Sequence, residues 1–331
     1  MSKRFLVLVA FIFAACAAPI TNAPSEPSAV VEPTAPIPTL TVEVQTSATA
    51  EAQPSVTVMD GLGRSVSIPQ PVVHIISLAP STTEIVASLD GTSRLVAIDI
   101  YSDYPLEVGT LPKITNPDMS VNYEQIAALE PSVVFAAGIT APDVIAAIEK
   151  LGIPVVVVGG VNSSFASVLT DINLVGQAIQ RVPEATTLTA SMQGEWDVLV
   201  AKVADVPTKP TVFWELDATD IAKPYTVGPD SFVAELLGAA GGTNIFADVT
   251  DAYPQVSLEQ IVSKAPDTII LADSIWGVTP EAVATRDGWS TIPAVKTGRV
   301  FPIDDSIVSR PGPRVVQGLA AVVAILHPEV K

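Results

Sequence analysis

Two stretches decide the fold of this chain: YEQIAALEPSVVF at residues 123–135 and LEQIVSKAPDTIIL at residues 258–271. Each begins with a short helical segment that carries Glu-Gln-Ile and ends before a proline, and an apolar run typical of a buried strand follows it. The second stretch begins 135 residues after the first, a separation too long for a solenoid repeat, so it indicates two related lobes. Glu124 and Glu259 occupy the same place in the two stretches.

Length and composition agree with two lobes and limit the partners. The 331 residues, 48% of them hydrophobic, can bury one or two ordinary cores. The 35 acidic and 17 basic residues give a formal net charge of -18. Nucleic acids and anionic membrane surfaces are bound by clustered lysines and arginines, so we expect neither as a partner of the folded region.

The first 16 residues have the pattern of an export signal. Lys3 and Arg4 form a basic start, and the apolar segment at 5–15 is shorter than the roughly 20 residues that span a bilayer. The Phe-Ala-Ala-Cys sequence that ends at Cys16 resembles a bacterial lipobox, in which the cysteine becomes the lipid-modified first residue. Cys16 is the single cysteine of the chain, which excludes a disulfide framework. We predict that residues 1–16 are a lipoprotein signal peptide; a plain secretory signal is the alternative.

Residues 17–54 have the composition of a tether. They include seven prolines and many Ala, Thr and Ser residues, with no Gly, Lys or Arg. Such a segment cannot bury a core, and its prolines favour extended conformations that reach on the order of 100 Å at most. We predict a disordered tether between a membrane lipid anchor and a folded region outside the cytoplasm.

Residues 55–164 alternate between strand and helix patterns and are predicted to form an N-terminal α/β lobe. A glycine-containing loop at 60–64 joins the two strands of a hairpin. Ser81 and Glu84 have the spacing of a capping box and are predicted to begin a helix. The later apolar runs are typical of a parallel sheet covered by helices. The predicted strands are at 56–58, 65–68, 75–78, 95–98, 133–136 and 155–158, and helices are at 81–89 and 142–151.

A connecting segment at 165–205 and a C-terminal lobe at 206–331 complete the predicted organisation. Two consecutive helical patterns break the strand and helix alternation, which fits a long connection between lobes; two surface helices of one domain are the alternative. The alternation then returns. Helical patterns lie at 165–179, 184–203, 232–239, 257–265 and 314–326, and strand patterns at 212–214, 268–271 and 300–301.

Motifs for the common catalytic and metal sites are missing from the sequence. His74 and His327 are the only histidines, and the chain contains no Gly-x-Ser-x-Gly, His-Glu-x-x-His or Cys-x-x-Cys motif. We therefore expect a binding protein rather than an enzyme, with no metal or cofactor of its own. Two alternatives stay open. One is a secreted hydrolase with paired carboxylates in a cleft, because spatial pairing is invisible in one sequence, and the other is a surface adhesion module.

Several segments between about residues 73 and 329 resemble one transport family, the substrate-binding proteins for Fe3+-siderophores, haem and cobalamin that serve ABC transporters. The resemblance implies a class III periplasmic-binding-protein fold: two Rossmann-like α/β lobes with parallel-rich central sheets, joined by one long interdomain helix. It also implies a ligand in the cleft between the lobes and little hinge motion. The similar segments are LAPSTTE at 78–84, YSDYP at 101–105, the helix of Glu124, GGTNIF at 241–246, YPQVS at 253–257 and SRPGPR at 309–314.

The resemblance implies a partner for the repeated glutamates. In this family a glutamate on each lobe docks onto arginines of the membrane permease, and Glu124 and Glu259 match those positions. The implied partners are the permease dimer of an ABC importer with its ATPase subunits, and the binding protein itself is expected to be a monomer. Without such a partner, each glutamate would only favour the positive end of its own helix.

The resemblance also implies a set of ligand contacts. Tyr101 matches a position that contacts the corrin ring in cobalamin-binding members, and Tyr225 and Tyr253 match further aromatic positions at the cleft. Ser306 and Arg310 fall on the segment that closes the other side of that cleft. Aromatic faces suit a large flat macrocycle, so cobalamin or a related corrinoid is the expected ligand, with haem or a ferric siderophore as the alternative.

The chain departs from cobalamin-binding members at some of these places. Asp118 and Ala137 stand where those members carry tryptophans, and Ser306 replaces an aspartate. Trp214 and Trp276 could supply replacement aromatic surface, although Trp214 lies in a predicted strand and fits a core position equally well.

Overall fold

A computed structural model describes residues 54–160 and 163–330; the predicted signal peptide, Cys16 and the tether up to residue 53 lie outside the described residues. The strands of the described part are β1 (Ser55–Met59), β2 (Ser65–Pro69), β3 (Ile75–Ser77), β4 (Leu95–Ile98), β5 (Val133–Ala137), β6 (Val155–Val158), β7 (Thr211–Glu215), β8 (Thr243–Asn244), β9 (Thr268–Leu271) and β10 (Val300–Pro302). Its α-helices are α1 (Pro80–Ser88), α2 (Tyr123–Ala128), α3 (Pro142–Glu149), α4 (Phe165–Ala178), α5 (Val182–Ala204), α6 (Phe232–Ala239), α7 (Leu258–Lys264), α8 (Pro280–Ala284), α9 (Pro293–Lys296), α10 (Asp305–Val308) and α11 (Val315–Leu326).

Two four-stranded parallel sheets form the centres of the two lobes. Their strand orders are β4-β3-β5-β6 and β10-β9-β7-β8. When the strands of each parallel sheet are numbered in chain order, both sheets have the order 2-1-3-4. The third strands, β5 and β9, therefore occupy equivalent places. This equivalence explains the repeat at 123–135 and 258–271, and the predicted two-lobed α/β architecture is confirmed. The predicted hairpin also forms, with β1 and β2 antiparallel.

Each parallel sheet is buried on both faces, which is why its strands are continuous apolar runs. All five residues of β5 are buried, with Phe135 on one face and Val134 on the other. The face that carries Phe135 belongs to a core that also includes Trp214 of β7 and residues of α4, α5, α6 and α11. One continuous core therefore extends through both lobes, while Val134 and Phe213 belong to separate outer cores.

The connecting segment consists of two helices with different packing partners. Helix α4 begins with a capping box between Ser164 and Ser167 and packs on α1, β1 and β6 of the N-terminal lobe. Helix α5 has 23 residues and packs on both α4 and α11, so it is the long helix between the lobes. The residue limits 55–164, 165–205 and 206–331 stay a prediction.

The capping box predicted at Ser81 is wrong. Helix α1 begins one residue earlier at Pro80, which needs no amide partner at the first turn, and its N-cap Ala79 makes no side-chain hydrogen bond. The Glu84 side chain is only 2% exposed and pairs with arginines of the other lobe instead of returning to its own helix end.

Within residues 54–160 and 163–330, no helix combines the length and the apolar composition that crossing a membrane requires.

Candidate functional site

An open cleft lies between the lobes at the carboxyl ends of both sheets. In each lobe the first strand, β3 or β7, lies between the second and third strands, and parallel sheets of this order bind ligands where the connections diverge. A cavity of about 330 Å³ lies at this place, and a second of about 300 Å³ shares Phe232, Tyr253 and Ser309 with it. The N-terminal lobe contributes the turns after β3, β5 and β6, and the C-terminal lobe contributes Leu216 and Ala272, which follow β7 and β9.

Exposed apolar side chains wall the cleft from both lobes. Ile139 follows β5, is 85% exposed and lines the first cavity. Trp276 follows β9, the equivalent strand, is 81% exposed and lines the second cavity. Tyr253 lines both cavities and is half-exposed, and burial of its ring raises the pKa of its phenol. The cleft thus has an apolar wall on each lobe, which suits a broad hydrophobic ligand.

A partly buried ion-pair network joins the lobes beside this cleft. Glu84 of α1 accepts from Arg314 at 2.6 and 2.8 Å and from Arg310 at 3.2 Å. Arg310 also donates to Asp103 at 2.6 Å, and this contact holds the pKa of Asp103 below its usual value. The guanidinium of Arg314 lies 4.2 Å from the ring centre of Tyr104. These residues therefore act as a clamp between the two lobes.

The clamp changes the interpretation of Arg310. Arg310 lines the first cavity, as its predicted place on the far side of the cleft requires. However, its positive charge is matched by Glu84 and Asp103, and its remaining contact is a 3.4 Å bond to the carbonyl of Tyr101. Arg310 consequently offers little free positive charge to an anionic ligand.

Two carboxyl groups inside the cleft escaped the sequence reasoning. Asp171 of α4 lines the first cavity, accepts from the Gly159 amide at 3.0 Å, and has its pKa raised to about 6 by burial. Asp305 lines the second cavity and accepts from the Ser309 hydroxyl, and burial also raises its pKa. The sequence did contain one signal: Asp171 stands three residues after Val168, on the apolar stripe of an amphipathic helix, where a charge is unexpected.

Three of the predicted ligand contacts do not line either cavity of the described part. Tyr101 is half-exposed, and its hydroxyl donates to the Pro117 carbonyl at 3.4 Å. Tyr225 is half-exposed and forms single β-bridges with Gln255 and with Asp217, which lies two residues after the end of β7. Ser306 lies in α10.

The positions where the chain departs from cobalamin-binding members, and the tryptophans suggested as replacements, differ in whether they reach the cleft. Trp214 is fully buried in the shared core, whereas Trp276 reaches the cleft. Ala137 lines the first cavity, and Asp118 lies in an exposed loop where it accepts from Ser120.

Glu124 and Glu259 are presented in the same way on the two lobes. Both are exposed residues of the first turn of a short helix, α2 or α7, that precedes the third strand of its sheet. Asn122 caps α2 by accepting from the Gln125 amide at 3.0 Å, and Ser257 caps α7 through a capping box. Each helix is fixed to its outer core by one buried isoleucine, at Ile126 and Ile261.

This arrangement has the architecture of a two-lobed periplasmic binding protein, with a cleft between lobes that share a core. The family model described as periplasmic binding protein matches residues 75–307, and the chain belongs to this family. Its members include substrate-binding proteins of ABC importers, which work with permease and ATPase components.

Individual relatives and a solved structure agree with this assignment. An uncharacterized ABC transporter substrate-binding lipoprotein, YvrC, of Bacillus subtilis is 34% identical over 280 residues, which cover 83% of this chain and 86% of that one. A vitamin B12-binding protein of Vibrio parahaemolyticus is 27% identical over 260 residues, covering 76% and 89%. The crystal structure of a possible iron-binding, periplasmic solute-binding protein from Staphylococcus epidermidis superposes with a TM-score of 0.68 at 28% identity, covering 78% and 100%.

Proposed function

We propose that this chain is a lipid-anchored binding protein outside the cytoplasm that captures cobalamin or a related corrinoid in the interlobe cleft and delivers it to an ABC importer. The observation that carries the proposal is the pair of apolar walls, Ile139 on one lobe and Tyr253 with Trp276 on the other, at the carboxyl ends of both sheets. The protein binds its cargo without chemical change and acts as a monomer.

The shape and chemistry of the walls favour a flat macrocycle. Aromatic side chains bury a large area at a small cost in side-chain entropy, because each has only two rotatable bonds. Tyr101 and Tyr225 stay in the proposal as contacts at the mouth of the cleft, with Ser306 and Arg310 on the segment that closes it.

The charges of the cleft favour a corrinoid over the two alternatives. Asp171 and Asp305 line its cavities, and the exposed Asp230 stands at the edge, while Arg310 is already paired with two carboxylates. Haem carries two propionates, and many ferric siderophore complexes are anionic, so both would meet an excess of negative charge. The corrin periphery carries neutral amides, which avoid this repulsion. The vitamin B12-binding protein of Vibrio parahaemolyticus adds support by similarity.

Delivery is assigned to the repeated helices. Glu124 and Glu259 are the paired contacts for basic patches on the two halves of a permease, one from each lobe. Their exposure and their equivalent place in the two lobes support this role. Cys16 is the proposed lipidation site, in agreement with the relative of Bacillus subtilis that is named a lipoprotein.

Calorimetric titration of the purified protein with cyanocobalamin, haem and a ferric siderophore tests the ligand. We expect saturable heat with cyanocobalamin, and an affinity at least about tenfold lower after Trp276→Ala or Tyr253→Ala, because each variant removes a large apolar contact. Met59→Ala is the matched control, since Met59 is an exposed apolar residue of the hairpin that lines neither cavity. Saturable heat with only haem or only the siderophore would identify that compound, and not cobalamin, as the ligand. The absence of heat with all three would reject metal chelates as the ligand class.

A further inference from the structure

Asp171 is a buried carboxyl group whose place at the cleft is built into the fold. It is 7% exposed, lies on the apolar stripe of α4 and lines the first cavity. Its Oδ1 accepts from the Gly159 amide at 3.0 Å. Gly159 has a φ of +78°, and a Cβ at this position would come within 3.3 Å of Oδ2, so glycine lets the loop after β6 pass close to the carboxyl.

The second oxygen of Asp171 has a different environment. Among the described residues, no donor reaches Oδ2, and the side chain is in no ion pair. A buried carboxylate that keeps one oxygen without a donor is costly unless a ligand or solvent supplies one. A carboxylate oxygen in the wall of a binding site favours ligands that place a hydrogen-bond donor against it over ligands that do not.

We propose that Asp171 is a specificity residue of the cleft: its Oδ2 accepts a hydrogen bond from a neutral donor of the ligand, such as an amide N–H, and it rejects a carboxylate at the same place. The inference rests on the proposed function and names the chemical group of the ligand that Asp171 recognises. A corrinoid presents amide donors around its ring, whereas a derivative with that amide hydrolysed presents a negative charge to Asp171.

A purely structural role for Asp171 makes a different prediction. If the side chain only held the Gly159 loop, Asp171→Asn would be silent, because the asparagine Oδ1 still accepts from the same amide. In the proposed role, the same variant replaces the acceptor Oδ2 by an NH2 donor and removes the charge, so it changes which ligand is preferred while the loop contact stays.

The other charged groups near Asp171 are separated from it by the variant test, because Asp171→Asn leaves all of them unchanged. Asp171 is the only titratable residue of α4, and β1 and β6, which pack on that helix, carry none. Glu84 of α1 is paired with arginines, and Glu235 of α6 accepts from the Phe165 amide at 2.9 Å. The remaining charged or titratable groups of the packed helix α5 and of the walls of the two cavities are Glu184, Glu195, Asp197, Lys202, Asp230, Tyr253, Asp305 and Arg310.

The test compares cyanocobalamin with its monocarboxylic acids, in each of which one side-chain amide of the corrin is hydrolysed. For the wild-type chain we expect at least one acid to bind at least about tenfold more weakly than cyanocobalamin, because a charge-assisted hydrogen bond is replaced by repulsion. In Asp171→Asn this ratio should fall to about threefold or less, with a melting temperature at or above that of wild type. Asp197→Asn, an exposed charge removal on α5, should leave the wild-type ratio.

A second measurement keeps the proposal testable even where Asp171→Asn folds poorly. In the wild-type chain, the preference for cyanocobalamin over the acid should grow between pH 5 and pH 7, because burial raises the pKa of Asp171 to about 6 and the rejecting charge appears across that range. An equal ratio in wild type and Asp171→Asn, or a ratio that stays constant with pH, overturns the inference while the proposed function stands. Failure of the wild-type chain to bind cyanocobalamin overturns both.

Discussion

At the residue scale, buried carboxyl groups have distinct roles that depend on their partners. Glu84 forms ion pairs with two arginines from the other lobe. Glu215 is fully buried and bonds Arg286 at 2.5 and 2.8 Å. Asp273 lies beside Glu215 with no cation of its own, and burial first, then Glu215, raise its pKa to about 7. The lack of a cationic partner therefore distinguishes Asp273 from the two paired glutamates.

Replacement of Glu84 tests the clamp. Glu84→Gln removes the carboxylate that Arg314 shares with Arg310, and Arg310 keeps only Asp103. We expect the free energy of unfolding in urea to fall by about 3 kcal/mol. Glu149→Gln is the control, because Glu149 forms a 2.8 Å pair with Arg64 at the surface and should cost less than about 1 kcal/mol. Equal losses in the two variants would contradict a special role for the clamp.

Asp273 gives the stability a defined dependence on pH. Its pKa is about 7 in the folded chain and near its ordinary value of 3.8 in the unfolded one, so the folded state holds an extra proton between these values. The free energy of unfolding should therefore decrease as pH rises through this window and level off above it. Asp171, with a pKa of about 6, acts in the same direction over the lower part of that window.

Asp273→Asn should remove part of this dependence. The amide imitates the protonated acid, since it can accept from the Ala218 amide and donate to Glu215, so the variant should be more stable than wild type at pH 8. Melting temperatures between pH 4.5 and pH 8 measure the effect, and Asp287→Asn, an exposed charge removal in the same lobe, should leave the slope unchanged. A variant that keeps the wild-type slope would show that Asp273 does not titrate in this range.

At the element scale, two short helices present equivalent glutamates. Helices of six and seven residues are too short to be stable by themselves, so α2 and α7 depend on their N-caps and on one buried isoleucine each. This anchoring fixes the first turn of each helix relative to its sheet. Two sheets of the same strand order then carry two first-turn glutamates at equivalent positions.

The paired glutamates should act in transport and not in ligand binding. Glu124→Ala together with Glu259→Ala should abolish uptake of labelled cyanocobalamin in cells that depend on this chain, with affinity in calorimetry close to wild type, because neither residue lines the cleft. Glu281→Ala is the matched control: Glu281 is also an exposed first-turn glutamate, on α8. Normal uptake in the double variant would reject the docking role.

At the scale of the whole molecule, the lobes are joined by more than one connection. A continuous core passes from β5 through α4, α5 and α11 to β7, and the clamp of Glu84 with Arg310 and Arg314 spans the same division. Bending between the lobes would disturb a packed core, which tolerates little deformation. Ligand binding is therefore expected to change the lobe arrangement little.

A distance measurement between the lobes tests this rigidity. Spin labels at Asp143→Cys and Glu281→Cys, in a variant with Cys16→Ser, report on the first turns of α3 and α8 in opposite lobes. We expect the mean distance to change by about 1 Å or less on addition of cyanocobalamin. A change of several ångströms, with affinity unaffected by the labels, would establish a hinge.

The sequence by itself determined most of the elements and their repetition, whereas the short elements β8, α8, α9 and α10 were not predicted. Periodic apolar runs and the matching Glu-Gln-Ile stretches report local burial, which depends on residues a few positions apart. The same local rules failed at Ser81, where the proline before it begins the helix.

Only the tertiary structure decided which distant groups meet. Strand order, the pairing of Glu84 with Arg310 and Arg314, and the place of Asp171 beside Gly159 join residues from different elements. Such contacts follow from how parallel crossovers bring the carboxyl ends of strands together, and a local pattern contains no record of the partner across the cleft. For that reason the two lobes could be read from the chain, whereas the charge of the cleft could not.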